Sequence, residues 1–309
     1  MKKIAFLFPG QGAQYVGMGA GFYENSGAVR EIYEMASEAA GVNIADLCLK
    51  QNEEIHKTEY TQIAILATEA ALLKLVQDKG IVPDICAGIS LGEYAALIAS
   101  GVLSRKDAFS VVRKRGLFMQ EAYPTGGAMM AVIGGEIETI EKVCLTCSAL
   151  GIVSVANYNC PGQAVISGEE AAVKAAAEKL MDHGVRKCIS LKVSGPFHTK
   201  LLEGAGTKLR EVLAHIPVNE IEIPYLSNTL AEIVTDKSMV RELLVRQVSE
   251  AVRWEQSVRR MLEEGVTDFV EIGPGRTLAG FVKKIDRTAR VINIDKYEDF
   301  EQSMEKLFN

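Results

Sequence analysis

The chain has 309 residues, 48% hydrophobic and 24% charged, an ordinary globular balance. Its 34 basic and 40 acidic residues leave a formal charge of −6, which excludes the dense basic surface of a nucleic-acid binder. The opening MKKIAFLFPG breaks at Pro9 and Gly10 after a strand-length apolar run, so no secretory leader is expected. No stretch approaches the roughly 20 apolar residues of a membrane span.

KIAFLF (3–8) is a continuous apolar strand punctuated by PGQG. A helical region with two interruptions follows to about Lys79, and within it TQIAILATEAALLKLVQDKG is a buried helix stopped by Gly80. A strand over 84–89 leads through Ser90 into a helix ending at Gly101, and a further helix covers about 105–122. The pattern so far is a parallel sheet with helical crossovers. The middle differs: strand 127–135, a helix, strands 152–159 and 163–168 joined by a Cys-Pro-Gly turn, a helix stopped by Gly184, and strand 185–193. That βαββαβ order is the ferredoxin-like unit, inserted over 127–194. The α/β pattern then resumes with a helix over 199–215, strand IPYLSN (223–228), helices to about 264, strand TDFVEIG, a Gly-Pro-Gly turn, a helix to about 286 and strand ARVINI. The expected domains are therefore 1–126 with 195–309, and 127–194.

Six cysteines are scattered at 48, 86, 144, 147, 160 and 188. Cys144 and Cys147 form a C-x-x-C, but inside a helical pattern and without a second pair, so no metal site is expected. A soluble, reducing, cytoplasmic setting follows as the expectation.

Gly88-Ile89-Ser90-Leu91-Gly92 between a strand and a helix has the nucleophile-elbow arrangement. The turn forces the serine into a strained conformation, and a Cβ at either glycine would strike the neighbouring strand or helix. The hydroxyl then stands at the carboxyl end of the sheet, and the Leu91 N–H points with the helix N-terminus at any oxyanion formed there. The bland alternative is a glycine-rich turn whose serine merely caps the helix.

A serine nucleophile needs a base. Of the four histidines, His56 sits in a charged stretch, His183 precedes a helix-stopping glycine and His215 ends a helix. His198, in SGPFHTKLL, lies in a loop at a strand's end, where groups of open α/β sheets gather around a site. Along RKDAFSVVRKRGLFMQEA, the stripe Ala108, Val112, Arg115, Met119, Ala122 puts an arginine on a mostly apolar face. Such a guanidinium either bonds a protein acid or awaits a carboxylate ligand, which it grips bidentately. In FPGQGAQYVGMG, Tyr15 stands where the third glycine of a dinucleotide motif belongs, and no Gly-Lys-Ser/Thr follows. That turn instead lays backbone N–H groups near a neighbouring strand end, with Gln11 at its tip.

Together FPGQGAQYVGMG, GISLGEYAAL, RGLFMQEA, NYNCPGQAVISG, SGPFHTKLL, VRWEQSVRRM and EIGPGRTLAG resemble the malonyl-CoA:acyl-carrier-protein transacylase family nearly end to end. Polyketide synthase acyltransferases share the motifs. The resemblance implies an α/β-hydrolase-like core with a ferredoxin-like subdomain. It implies ping-pong transfer of malonyl from malonyl-CoA to the phosphopantetheine thiol of acyl carrier protein, for fatty acid synthesis, by a cytoplasmic monomer without cofactor. Ser90 would be the nucleophile, His198 its base, Gln247 the residue whose carbonyl orients His198, and Arg115 the malonyl clamp. The N–H groups of Leu91 and Gln11 would form the oxyanion hole, and Phe197 would crowd an α-methyl branch, worth about 1–3 kcal/mol of discrimination. Two departures stand out: Ile89 where the family usually has histidine, and Ala251 where proline is common. Residues 276–290 gather Arg276, Lys283, Lys284, Arg287 and Arg290 against Asp286, and with Arg186 and Lys187 are expected to dock an acidic carrier. The alternatives are a stand-alone acyltransferase or thioester hydrolase of a polyketide synthase, and a scaffold that has kept only the fold.

Overall fold

A computed structural model describes residues 2–193 and 195–308. β1 (Ile4–Phe8) opens a six-stranded sheet. Four helices follow: α1 (Ala20–Asn25), α2 (Gly27–Ala40), α3 (Ile44–Leu49) and α4 (Thr58–Asp78). β2 (Ile85–Gly88) runs into α5 (Gly92–Ala99) and α6 (Arg105–Ala122). The second sheet comes next: β3 (Gly127–Ile133), α7 (Ile137–Cys147), β4 (Val153–Cys160), β5 (Gln163–Glu169), α8 (Glu170–Asp182) and β6 (Lys187–Ser190). The chain then returns through α9 (Glu203–Leu213), β7 (Tyr225–Leu226), β8 (Ile233–Val234), α10 (Val240–Gln247) and α11 (Trp254–Glu263). β9 (Asp268–Ile272), α12 (Thr277–Ile285), β10 (Arg290–Ile294) and α13 (Phe300–Phe308) complete it.

The large sheet has the order β10-β9-β1-β2-β7-β8 and is parallel except for the β7–β8 pair. Its first strand shows why an unbroken apolar run was needed. Phe6 and Phe8 enter one core, Ala5 and Leu7 the opposite one, so helices cover both faces. The second sheet, order β4-β5-β3-β6, is antiparallel with α7 and α8 on one face, the ferredoxin-like arrangement. Its β4 is stitched to the large sheet's side of the molecule at Val252, whose N–H donates to Ala156 O at 2.8 Å and whose carbonyl accepts Tyr158 N–H at 2.9 Å.

The structure departs from the sequence expectations at three places. The helical region before Lys79 is broken three times rather than twice: at Ser26, whose hydroxyl caps α2, at Gly41 and Asn43, and over 50–57. The strand expected over 223–228 shrinks to two residues, because Asn228 turns its side chain onto β2's end instead of continuing the ladder. β8 had no periodicity to announce it: a two-residue strand returning antiparallel past Ala231 at φ 55°. Ser194, within SGPFHTKLL and at the expected subdomain boundary, lies outside the described residues, as do the chain's first and last residues.

Candidate active site

β2 ends at Gly88 and α5 begins at Gly92, with Ser90 between them at φ 54°. Only glycine fits on either side. A Cβ on Gly88 would lie 2.0 Å from the Gly92 carbonyl, and one on Gly92 would lie 2.1 Å from Phe8 O and 2.6 Å from Pro9 O. The turn is also held from outside. Ser90 N–H donates to Asn228 Oδ1 at 2.5 Å, while Asn228 Nδ2 donates to Gly88 O at 2.6 Å. Ile89 N–H reaches Phe8 O at 3.0 Å, so the elbow is tied to the end of β1 as well.

His198 Nε2 is 2.8 Å from Ser90 Oγ, and its Nδ1 is 2.8 Å from the Gln247 carbonyl. A carbonyl only accepts, so Nδ1 carries the proton and Nε2 is free to accept the serine hydroxyl. His198 itself sits at φ 59°, a strained conformation kept by the contacts around it. Burial first, and the Arg115 charge second, lower its pKa to about 4, so the imidazole is neutral at pH 7 and ready to take a proton.

Arg115 projects from α6 and is only 1% exposed. Its Nη1 donates to Gln62 Oε1 at 2.6 Å, and its Nη2 to Gln247 Oε1 at 3.0 Å and Ser90 Oγ at 3.2 Å. The guanidinium lies beside the Tyr94 ring, 5.6 Å from its centroid. Among the described residues no carboxylate touches it directly, and its Nε has no partner. Gln247 ties the pieces together: its carbonyl takes His198, its Oε1 takes Arg115, and its Nε2 donates to Ser90 O at 2.8 Å and Glu93 Oε2 at 2.6 Å.

Ser90 and His198 open onto a cavity of about 240 Å³ walled mainly by apolar side chains, among them Ile89, Met119, Met129 and Phe197. Gln11 also lines it, its amide donating to Thr58 Oγ1 at 3.0 Å. Neither the Gln11 nor the Leu91 backbone N–H finds an acceptor among the described residues. Ser90, His198, Gln11 and Phe197 thus line one cavity, while Arg115 and Gln247 lie buried behind Ser90 and His198, joined to them by hydrogen bonds, and Leu91 stands at the start of α5. The other histidines stand apart: His183 Nδ1 lies 2.8 Å from Lys179 O at the end of α8, and His56 and His215 are exposed. Of the basic stretch, Arg290 pairs with Asp268 at 3.1 Å and Lys284 with Gln163 at 3.0 Å, while Arg186 and Lys187 are exposed. All six cysteines are free, and no group of three or more potential ligands could hold a metal ion among the described residues. No helix described is long and apolar enough to cross a membrane.

Three residues of this network were missed in the sequence: Gln62, Glu93 and Asn228. The first two had a signal. Glu93 is the one charged residue of α5, a helix buried throughout, and Gln62 is one of several polar residues on the buried length of α4; a buried polar group needs a partner. Asn228 had none, since its role depends on where β7 stops.

A serine at a strand–helix elbow with a neutral histidine on its hydroxyl, both lining one apolar cavity, fits the class of enzymes that transfer or cleave acyl groups. The sequence profile of the acyl transferase domain matches residues 5–297. The malonyl CoA-acyl carrier protein transacylase of Bacillus subtilis is 43% identical, over 99% of this chain and 98% of its own length. The crystal structure of the corresponding Streptococcus pneumoniae enzyme superposes with a TM-score of 0.95 at 47% identity, covering 98% of this chain and 100% of its own. A malonyl-transacylase solved in complex with its type II polyketide acyl-carrier protein gives 0.96 at 37% identity, covering 99% and 100%. The chain belongs to the malonyl CoA-acyl carrier protein transacylase family of acyl transferase domains.

Proposed function

We propose that this protein moves a malonyl group from coenzyme A to the phosphopantetheine thiol of acyl carrier protein through a malonyl ester on Ser90, supplying extender units for fatty acid synthesis. The observation that carries the reading is the convergence of His198 Nε2 and Arg115 Nη2 on one oxygen, Ser90 Oγ, at 2.8 and 3.2 Å. A nucleophile with its base suits any acyl group. A buried cation within reach of the same oxygen suits an acyl group that ends in a carboxylate.

The malonyl carboxylate pairs with Arg115 and draws the guanidinium off Ser90. The Ser90 proton passes to His198 Nε2 as Oγ attacks the thioester carbonyl. The oxyanion is held by the N–H groups of Leu91 and Gln11. Collapse breaks the C–S bond, and the departing coenzyme A sulfur takes the proton from His198. In the second half the carrier thiol gives its proton to His198, its sulfur attacks the ester, and Ser90 Oγ leaves and recovers the proton. Substrate binding also readies the base. The Arg115 charge is one of the causes holding the His198 pKa down, and a carboxylate that neutralises it makes the imidazole more basic when it must accept a proton.

Phe197 crowds branched acyl groups, and Ile89 takes an apolar place beside the nucleophile. The segment 127–194 acts as an inserted subdomain against 1–126 and 195–309, and the basic groups of 276–290 face the acidic carrier. Six free cysteines suit a reducing cytoplasm. Intact-mass measurement after mixing with malonyl-CoA tests the reading: one malonyl group added, absent in Ser90→Ala and discharged by holo carrier protein. Discharge by water at the same rate without carrier would make the protein a hydrolase instead.

A further inference from the structure

Glu93 lies on α5, a helix buried at every residue, and is itself 0% exposed. Its Oε2 accepts Gln247 Nε2 at 2.6 Å and Asn228 N–H at 3.3 Å, while its Oε1 has no partner. On the far side of the same amide, Gln247 Oε1 accepts Arg115 Nη2 at 3.0 Å. The remaining acceptors of the guanidinium, Gln62 Oε1 and Ser90 Oγ, are neutral. A buried cation and a buried carboxylate therefore face each other across one amide, whose dipole is aligned with both. The geometry points to Glu93 as the resident counter-ion of the Arg115 clamp, a positioning residue that acts through Gln247 and weakens the clamp's hold on an acyl carboxylate.

The argument rests on the reading of Arg115 as a carboxylate clamp and deepens it. In the empty site the guanidinium and the Glu93 carboxylate offset each other. An arriving acyl carboxylate leaves one uncompensated negative charge beside the buried Arg115 and Glu93 groups, so Glu93 opposes it. A clamp without this opposition would hold the carboxylate of the acyl-enzyme more tightly, and its discharge to the carrier slows by as much of that added hold as the transition state does not share. The charge state of Glu93 is itself poised: burial pushes its carboxyl up to about 7, and the hydrogen bonds from Gln247 and Asn228 and the Arg115 charge pull the other way. The other titratable groups whose charges reach it are Tyr94 on the same helix and Tyr225 on β7, and burial raises both well above the usual phenol range, so they stay neutral. Burial lowers the Arg115 pKa and the Tyr94 and Glu93 groups raise it; a guanidinium keeps its proton in proteins.

Glu93→Gln separates charge from contact, because its amide oxygen can replace Oε2 and keep both hydrogen bonds. In a Ser90→Ala background, which prevents acylation, the dissociation constant for malonyl-CoA is expected to fall about fivefold or more in Glu93→Gln, with acetyl-CoA unchanged. With Ser90 restored, discharge of the malonyl-enzyme to carrier should slow. A residue serving only structure would move malonyl-CoA and acetyl-CoA together. If Glu93→Gln does not fold, the same titration on the Ser90→Ala protein serves: malonyl-CoA should bind more tightly as pH falls from about 8 to about 6, and acetyl-CoA should not follow. Unchanged or weakened malonyl-CoA binding in Glu93→Gln, or a flat pH dependence, overturns the proposal. Arg115→Ala in the same background distinguishes the two levels: if malonyl-CoA binding is untouched there, the clamp reading falls, and if it is lost while Glu93→Gln has no effect, only the counter-ion falls.

Discussion

Arg115→Ala is the substitution whose outcome depends most directly on the geometry of the site. The guanidinium has two terminal nitrogens already committed to hydrogen bonds, Nη1 to Gln62 and Nη2 to Gln247 and Ser90. A malonyl carboxylate exchanges some of those contacts for a pair of charge-assisted bonds, each worth about 1.5–3 kcal/mol. Their loss together is therefore about 3–6 kcal/mol, and at about 1.4 kcal/mol per tenfold this is roughly 10²–10⁴ in kcat/KM for malonyl-CoA. An acetyl thioester has no carboxylate to lose, so its smaller change comes from Gln62, Gln247 and Ser90 losing their donor and from His198 losing the Arg115 charge. The ratio of malonyl to acetyl kcat/KM, read from coenzyme A release in the first turnover, should fall at least about a hundredfold. Arg115→Lys, which keeps the charge but not the planar fork, should fall between. A malonyl and an acetyl rate that drop by the same factor would refute the clamp, because the deficit would then lie in the serine or its base.

His198→Ala should slow acylation by roughly 10²–10⁴ while malonyl-CoA still binds, and a near-normal acylation rate would assign the base elsewhere. Since burial and the Arg115 charge lower the His198 pKa to about 4, kcat/KM for acetyl-CoA, whose binding does not depend on the Glu93 charge, should stay level as pH falls and decline only toward that value; an inflection near 6.5 would show an ordinary imidazole. Gly92→Ala places a Cβ 2.1 Å from Phe8 O, so a loss of about 3 kcal/mol or more is expected in denaturant unfolding, and a wild-type midpoint would contradict the elbow packing. Glu69 is 0% exposed with both oxygens unpartnered, and burial, then the Glu271 charge, push its carboxyl well above 4.5. A raised carboxyl contributes stability that is full below its unfolded pKa and is lost as pH rises. The unfolding midpoint should therefore decline from about pH 5 to about pH 8, and Glu69→Gln should flatten that decline; an unchanged slope would mean the carboxyl is relieved by another route.

Much of the fold was legible because it rests on periodicity and on glycine. β1 could be read as a buried strand from five consecutive apolar residues, and Phe6 against Leu7 shows the two cores it separates. The ferredoxin-like sheet was legible from its order of elements. What escaped has a common cause. β7 is short because Asn228 spends its side chain on Gly88 and Ser90, and β8 exists only because β7 offers it an edge, so both were fixed by contacts distant in sequence.

The site divides along the same line. Ser90 and His198 were legible because each is forced by local backbone, the one by flanking glycines and the other by a strand end, and both carry positive φ in the structure. Arg115 was legible only as a question, since an arginine on an apolar stripe fits an internal acid or a ligand equally well. The structure answers in a way neither alternative stated alone: the acid is present, but one amide away. Gln247 separates Arg115 from Glu93 and at the same time fixes the His198 tautomer and the Ser90 carbonyl. Had Glu93 touched the guanidinium directly, the pair would have satisfied itself and a substrate carboxylate would have had to break it. On the clamp reading, a carboxylate held at one remove would leave the cation enough unmet charge to recognise an acid and enough compensation to stay buried while the site is empty.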